Sequence, residues 1–238
     1  MDGRGQTQTG LIAKHGGFRL LKTFQIAEAI YDVTVLFCDK YIDRRSRTHD
    51  QMVQAARSGR QNIAEGSVDS ATSRKIEMKL TGIAKGSLAE LLLDYEDLLR
   101  QRELPKWEPA HPALQRFKAR RCATLMDFRA WVAEEVRHAK GNTDGEKNTD
   151  GEGNTDEHGR TQTESGRSCG VGVSRCSSVS PQDLPAVLAA NGAPSLLNLC
   201  IYLLERQLQA QAAAFEKDGG FTERLYRQRS QHRQRESD

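Results

Sequence analysis

The segments QMVQAARSGRQNIAEG at residues 51–66 and IAKGSLAEL at residues 83–91 decide the fold of this chain. Both are helical, and both place small side chains where a helix normally carries large ones. The predicted buried stripe of the first segment is Met52, Ala56, Gly59, Ile63 and Gly66. A glycine inside a helix costs about 1 kcal/mol relative to alanine, so we expect a neighbouring backbone to pack closely against Gly59. Two helices of this kind predict a bundle.

The chain on either side of these segments is also helical in pattern. Apolar residues recur at spacings of three and four from residue 18 to about residue 42, which predicts a first helix. Thr48 is the predicted N-cap of the second helix, with Gln51 completing a capping box. Ser70 and Ser73 are candidate caps for a third helix that ends near residue 103.

Three further helices are expected after the third. Pro112 suits the first position of a fourth helix, which fades near residue 139. A short helix is predicted from about residue 181 to residue 192, and Pro194 is the predicted start of a long last helix. No segment alternates in the way of a strand, so we predict essentially no β-structure.

The predicted fold class is therefore all-α, an up-and-down four-helix bundle with a C-terminal helical extension. Residues 141–165 carry seven acidic and two basic side chains, so this stretch has a charge of −5 in a chain whose net charge is +3. Its NTDGE near-repeats cannot bury enough surface to offset the entropy of ordering. The predicted division is a flexible N-terminus at 1–17, a bundle at 18–140, a disordered acidic linker at 141–180, and a helical suffix with a basic tail at 181–238.

The remainder of the chain is basic, with a charge of +8, and its cations fall into three clusters. They lie between residues 44 and 85, between residues 116 and 121, and in the C-terminal tail. Such residues contact phosphates and release counterions, whereas an ordinary solvated surface is the plainer interpretation. We favour backbone contacts to nucleic acid, because aromatic residues for base stacking are sparse nearby. The candidate nucleic-acid-binding residues are Arg44, Arg45, Arg47, Arg57, Arg60, Arg74, Lys75, Lys79, Arg116, Lys118, Arg120, Arg121, Arg224, Arg227 and Arg229.

No catalytic or metal-binding set can be assembled from the sequence, so we predict a protein that is not an enzyme and has no cofactor. A di-iron bundle needs two Glu-x-x-His pairs, and only Glu135 and His138 have that spacing. Asn62, Glu65 and Glu90 are polar residues within tight helices. They suggest either a buried carboxylate site or a hydrogen-bonded network or subunit contact, and we favour the second interpretation.

The five cysteines and the lengths of the apolar segments indicate the cellular compartment of the protein. Three cysteines lie in apolar helical patterns, and no apolar stretch reaches the length of a signal peptide or membrane span. We expect a reduced, cytoplasmic protein with buried thiols and no membrane partner.

SGRQNIAEGS at residues 58–67 and IAKGSLAEL at residues 83–91 resemble motifs of the bacterial four helix bundle protein family. That family includes proteins encoded by intervening sequences in large-subunit ribosomal RNA genes and the accessory variability determinant of diversity-generating retroelements. The resemblance covers roughly residues 18–138. The later LLNLCIYLLERQL, and GGFTERLYRQR at residues 219–229, are similar to the suffix extension of some family members.

The resemblance implies a homo-oligomer, in the best understood members a pentamer, that binds RNA or DNA and a reverse transcriptase through a basic surface. The family motif, together with Gly59 from the stripe described above, marks residues expected to serve packing and assembly. These are Gly59, Asn62, Ile63, Ala64, Glu65, Gly66, Gly86, Ser87 and Glu90. A protein-interaction scaffold is the alternative function.

Overall fold

The computed structural model describes residues 17–70, 72–144, 179–180 and 182–220, with a few residues after 220. Within these residues all regular structure is helical, which confirms the predicted all-α class. A 3-10 turn at Phe18–Leu20 precedes the α-helices. These are α1 Lys22–Tyr41, α2 Arg47–Asp69, α3 Arg74–Gln101, α4 Pro112–Arg120, α5 Leu125–Asp144 and α6 Leu184–Asp218.

Helices α1, α2, α3 and α6 form the four-helix bundle. Short connections make α1, α2 and α3 successive antiparallel neighbours. Helix α6 runs back along α3: the Arg74 guanidinium donates to the Ala214 carbonyl at 2.7 Å, and Lys85 forms an ion pair with Glu205. Helix α6 therefore occupies the fourth corner of the bundle.

The identity of this fourth helix differs from the sequence prediction, which assigned it to residues 112–139 and treated the last helix as an extension. Helix α6 buries Val187, Leu197, Cys200 and Leu204 completely. Its side chains belong to the same hydrophobic core as those of α1 and α3. A helix with one long apolar face is not stable alone in water, and the bundle core is where α6 buries that face.

The predicted fourth helix is broken into α4 and α5. Arg121 adopts a left-handed conformation with φ 53°, which ends α4. Thr124 and Asp127 then exchange capping hydrogen bonds: the Asp127 amide donates to Thr124 Oγ1 at 3.2 Å, and the Thr124 amide donates to the Asp127 carboxylate at 3.1 Å. This break allows α4 and α5 to pack separately on the end of the bundle where α6 begins.

Aromatic side chains join α4 and α5 to α6. Trp131 packs edge-on against Phe117 and Phe128, with ring centroids 4.8 and 5.7 Å away. Its indole covers α6 at Gly192, where a Cβ would lie 2.6 Å from the Trp131 ring. The glycine is required by this close approach, so Gly192 does not end a helix as predicted.

Several other predicted boundaries change. The N-cap of α2 is Ser46, whose side chain accepts from the Thr48 amide, so Thr48 lies inside the helix. Ser73 caps α3, as one of the two candidates predicted. Helix α6 continues through Pro194 without a second start. Residues 141–144 continue α5. Residues 145–178 of the predicted linker and 181 of the predicted suffix, like 1–16 of the predicted N-terminus, lie outside the described residues.

One helix in the described part of the chain passes a length-and-hydropathy test for a membrane span. It is α6, over Leu184–Lys217, and 61% of its most apolar window is buried inside the bundle. The core helix of a soluble bundle passes the same test, so this feature is weak as a sign of a membrane.

Candidate nucleic-acid interface and assembly surface

The predicted phosphate-binding cations do not form one continuous surface. The turn between α1 and α2 lies at the same end of the bundle as α4, because the Arg102 guanidinium after α3 donates to the Tyr41 carbonyl at 2.8 Å. The start of α3 lies at the opposite end, beside the end of α6. We call these the α4 end and the α3-start end. They are separated by most of the length of a bundle helix.

Several cations at the α4 end are already bonded to the chain itself. Arg116 makes a two-pronged ion pair with Glu135, with Nε donating at 2.7 Å. Arg120 pairs with Glu134, and this hydrogen bond lowers the pKa of the Glu134 carboxyl. Lys118 donates to the Pro109 carbonyl at 3.0 Å. These bonds hold α4 to its surroundings, and carboxylates of the same chain neutralise Arg116 and Arg120, so the three residues are weaker candidates for phosphate contacts than predicted.

The turn before α2 and the outer face of that helix hold the other cations of the first cluster. Arg44 lies 3.3 Å from Asp39, on an exposed surface where such a pair contributes little. The Arg60 guanidinium stacks over the Tyr31 ring at 4.4 Å, which ties α2 to α1. Arg45, Arg47 and Arg57 are exposed, as is Arg121 after α4.

The α3-start end offers the clearest exposed cations. Lys75 and Lys79 lie one turn apart and are exposed. Arg227 and Arg229, in the segment after α6, are also exposed. A Cβ built on Gly219 would lie 3.7 Å from an Arg227 guanidinium nitrogen, so this side chain lies close to the end of α6. Arg74 is half-buried, and its hydrogen bond to α6 holds the start of α3 against that helix. Arg224 lies outside the described residues.

The predicted packing residues divide into an inner and an outer group. A Cβ at Gly59 would lie 2.5 Å from Leu88, and one at Gly66 would lie 3.3 Å from the Leu80 Cβ. Ser87 is buried, and its hydroxyl lies 3.0 Å from that of Ser58. These residues hold α2 against α3, and the close approach predicted at Gly59 is present.

Asn62 belongs with this inner group. Its amide donates to the Ser58 carbonyl at 2.8 Å and to the Ser58 hydroxyl at 3.2 Å. The side chain therefore links two turns of α2 to the serine pair that joins α2 to α3, and it is part of a structural network, as we favoured from the sequence.

Gly86, Glu65 and Glu90 form the outer group. All three are exposed, and a Cβ at Gly86 would meet no atom within 4 Å. Packing within one chain therefore does not explain this helical glycine. Its neighbours on the outer face of α3 include Ile83, 43% exposed, and Leu93, 61% exposed. On this face Gly86 and the Glu90 carboxylate lie between Ile83 and Leu93, and we call these four residues the open stripe on α3.

A polar groove lies between α2 and α3 on the side of the serine pair. Its volume is about 680 Å³, and its lining is Arg47, Asp50, Gln51, Gln54, Ala55, Ser58, Ser87, Glu90 and Asp94. Burial raises the pKa of the Asp94 carboxyl, and the nearby Asp97 and Glu90 carboxylates raise it further. Asp94 is not among the site residues predicted from the sequence. Glu65 does not line the groove, so the two glutamates considered as a carboxylate site are not brought together there.

The described residues contain no group of three or more His, Cys, Asp or Glu arranged to hold a metal ion. The Glu135 carboxylate forms an ion pair with Arg116. Its Glu-x-x-His spacing with His138 therefore does not indicate a metal site. Cys38, Cys122 and Cys200 are buried free thiols.

Comparison with known proteins finds no matching family model, no similar curated protein and no similar solved structure. The family resemblance therefore stays a prediction from two short motifs, and function is argued from the surfaces described above.

Proposed function

We propose that this chain is a non-enzymatic, cytoplasmic, homo-oligomeric accessory protein that binds the phosphate backbone of nucleic acid. The observation that supports binding is the exposure of Lys75 and Lys79, one turn apart at the α3-start end, and of Arg227 and Arg229 in the segment after α6. These side chains extend from one end of a rigid bundle and carry no base-reading geometry. They suit phosphate contacts that position a strand without reading its sequence.

The open stripe on α3 supports assembly. Glycine at position 86, between Ile83 and Leu93, leaves room for a second helix to approach the backbone. A copy of the same chain would cover these apolar side chains and give the glycine a packing role. On the basis of the family resemblance, we also propose that the oligomer is a pentamer and that a reverse transcriptase is a partner.

Nucleic-acid binding is tested by fluorescence anisotropy with labelled RNA and DNA across a salt series. We expect log K to fall linearly with log salt, and the variant K75Q/K79Q to reduce the slope by about 0.7 to 0.9 for each lost contact. The control R100Q/K106Q removes the same charge at the α4 end and should keep the wild-type slope. Absence of binding at low salt, or an affinity that does not change with salt concentration, would overturn the proposal.

Assembly is tested by light scattering of Leu93→Glu, with Met126→Glu as the control. Met126 is 71% exposed on α5, away from the stripe. We expect an oligomer for the wild type and the control, and a smaller species for Leu93→Glu, because a charge within an apolar contact is costly. A wild-type monomer at micromolar concentration would remove assembly from the proposal.

The same stripe favours the alternative, a scaffold for a different protein. Co-purification of a partner that survives nuclease treatment and is lost with Leu93→Glu would favour that function. Loss of the partner on nuclease treatment would favour nucleic acid instead.

A further inference from the structure

An apolar cleft opens where α1, α5 and the start of α6 meet. Its volume is about 450 Å³. The floor is formed by side chains from all three helices, among them Val33 and Phe37 of α1, Phe128 and Val132 of α5, and Ala189 of α6. Leu36 on its edge is 40% exposed, so apolar surface faces the opening.

The charged residues that line this cleft are all cations, and Tyr41 adds a phenol group. Lys40, Arg129 and Arg137 line it, and no carboxylate is among its described lining residues. All three are exposed residues on the rim of an apolar pocket. Positive charge beside an apolar cavity favours a ligand with a negative head and an apolar body.

Two carboxylates of α5 form ion pairs with α4, although the charge of Arg137 also acts on one of them, Glu134. Glu134 pairs with Arg120, and Glu135 pairs with Arg116, both on α4. Arg129 and Arg137, two turns apart on the same helix, are left at the cleft.

We propose that the cleft binds an anionic amphiphile, a carboxylate with a single alkyl chain. The alkyl chain lies along the apolar floor, where burial removes its methylenes from water. The carboxylate accepts hydrogen bonds from the guanidinium groups of Arg129 and Arg137, which match carboxylate geometry. A nucleic-acid strand would leave the apolar floor uncovered, so this site is separate from the proposed phosphate surface and does not depend on it.

The test is calorimetric titration of the full chain with laurate below its micelle concentration. We expect saturable binding of one laurate per chain. Dodecyltrimethylammonium has the same alkyl chain and the opposite charge, and it should bind at least tenfold more weakly. No saturable binding of laurate, or equal binding of the two amphiphiles, would overturn the proposal.

Two variants locate the site. R129Q/R137Q removes the rim charges from exposed helix positions and should weaken laurate binding at least tenfold. Ala133→Trp fills the cleft from α5 and should abolish binding. The control R100Q/K106Q, an equal change of charge at residues that do not line the cleft, should bind laurate as the wild type does. Wild-type affinity in R129Q/R137Q would overturn the proposal even if Ala133→Trp failed to fold.

Discussion

Gly59 of α2 faces Leu88 of α3 so closely that a Cβ on the glycine would lie 2.5 Å from Leu88 Cδ2 and 2.7 Å from Cγ. Both residues are buried, and Leu88 has no exposed surface. The side chain of Leu88 therefore occupies the space that any larger residue at position 59 would need. This contact sets how closely the two helices approach.

Gly59→Ala is expected to destabilise the protein by about 1–3 kcal/mol, because the added methyl overpacks a close contact. Gly82→Ala is the matched control: a Cβ there meets no atom within 4 Å. That change should stabilise the protein by about 0.5–1 kcal/mol through helix propensity. Urea denaturation of both variants measures the two free energies. Equal effects of the same sign at the two positions would contradict this explanation.

Asn191 is expected to be the main polar support between α6 and the loop after α3. It is 4% exposed, accepts from the Trp107 amide at 2.8 Å and donates to the Pro105 carbonyl at 2.9 Å. Asn191→Ala leaves these backbone groups without partners and should cost about 1–3 kcal/mol in unfolding free energy. Asn198→Ala, at an exposed position of the same helix, should change it by less than about 0.5 kcal/mol. A neutral Asn191→Ala would show that water replaces the side chain.

The buried thiols should be unreactive in the folded protein. Burial raises the pKa of Cys38 and of Cys200 to about 12, and that of Cys122 to about 11. Alkylation requires the thiolate, so in a C169S/C176S chain these thiols should react with iodoacetamide about a hundredfold or more slowly than in urea. Mass spectrometry of the modified peptides gives the rate for each thiol. Rapid labelling of Cys38 in the native state would contradict its place in the core.

Stability is expected to depend on the protonation of His111. Burial lowers the pKa of this imidazole, Arg116 lowers it further, and Glu135 acts in the opposite direction. The ring stacks on Trp107 with centroids 4.1 Å apart. Because the folded state binds the proton less readily, this contribution is present above the unfolded pKa of about 6.5 and is lost as the pH falls through it toward the folded value.

His111→Phe keeps an aromatic ring beside Trp107 and removes the titration. The free energy of unfolding of the wild type minus that of the variant should be larger at about pH 7.5 than at about pH 5.5. Urea denaturation at both values provides the comparison. A difference that does not change with pH would show that His111 does not link protonation to folding.

Much of the local structure was predictable from the sequence. The helical class, the cap at Ser73 and the close approach at Gly59 depend on residues within a few turns of one another, or on the cost of a glycine in a helix. The break after α4 also had a local signal that the prediction missed. Thr124 and Asp127 form a capping box, but Cys122 and Leu125 continue the apolar spacing across it.

The choice among helix partners was not predictable in this way. An apolar stripe shows that a helix is buried but not against which neighbour. The prediction therefore placed residues 112–139 at the fourth corner of the bundle, which α6 occupies. Likewise, Arg116 and Lys75 are both exposed cations in the sequence pattern, and only the fold brings Glu135 to the first of them. Periodicity and capping involve residues close together along one helix, so the sequence alone predicts them. Core partners and ion pairs join residues far apart in the chain, and the tertiary structure alone decides them.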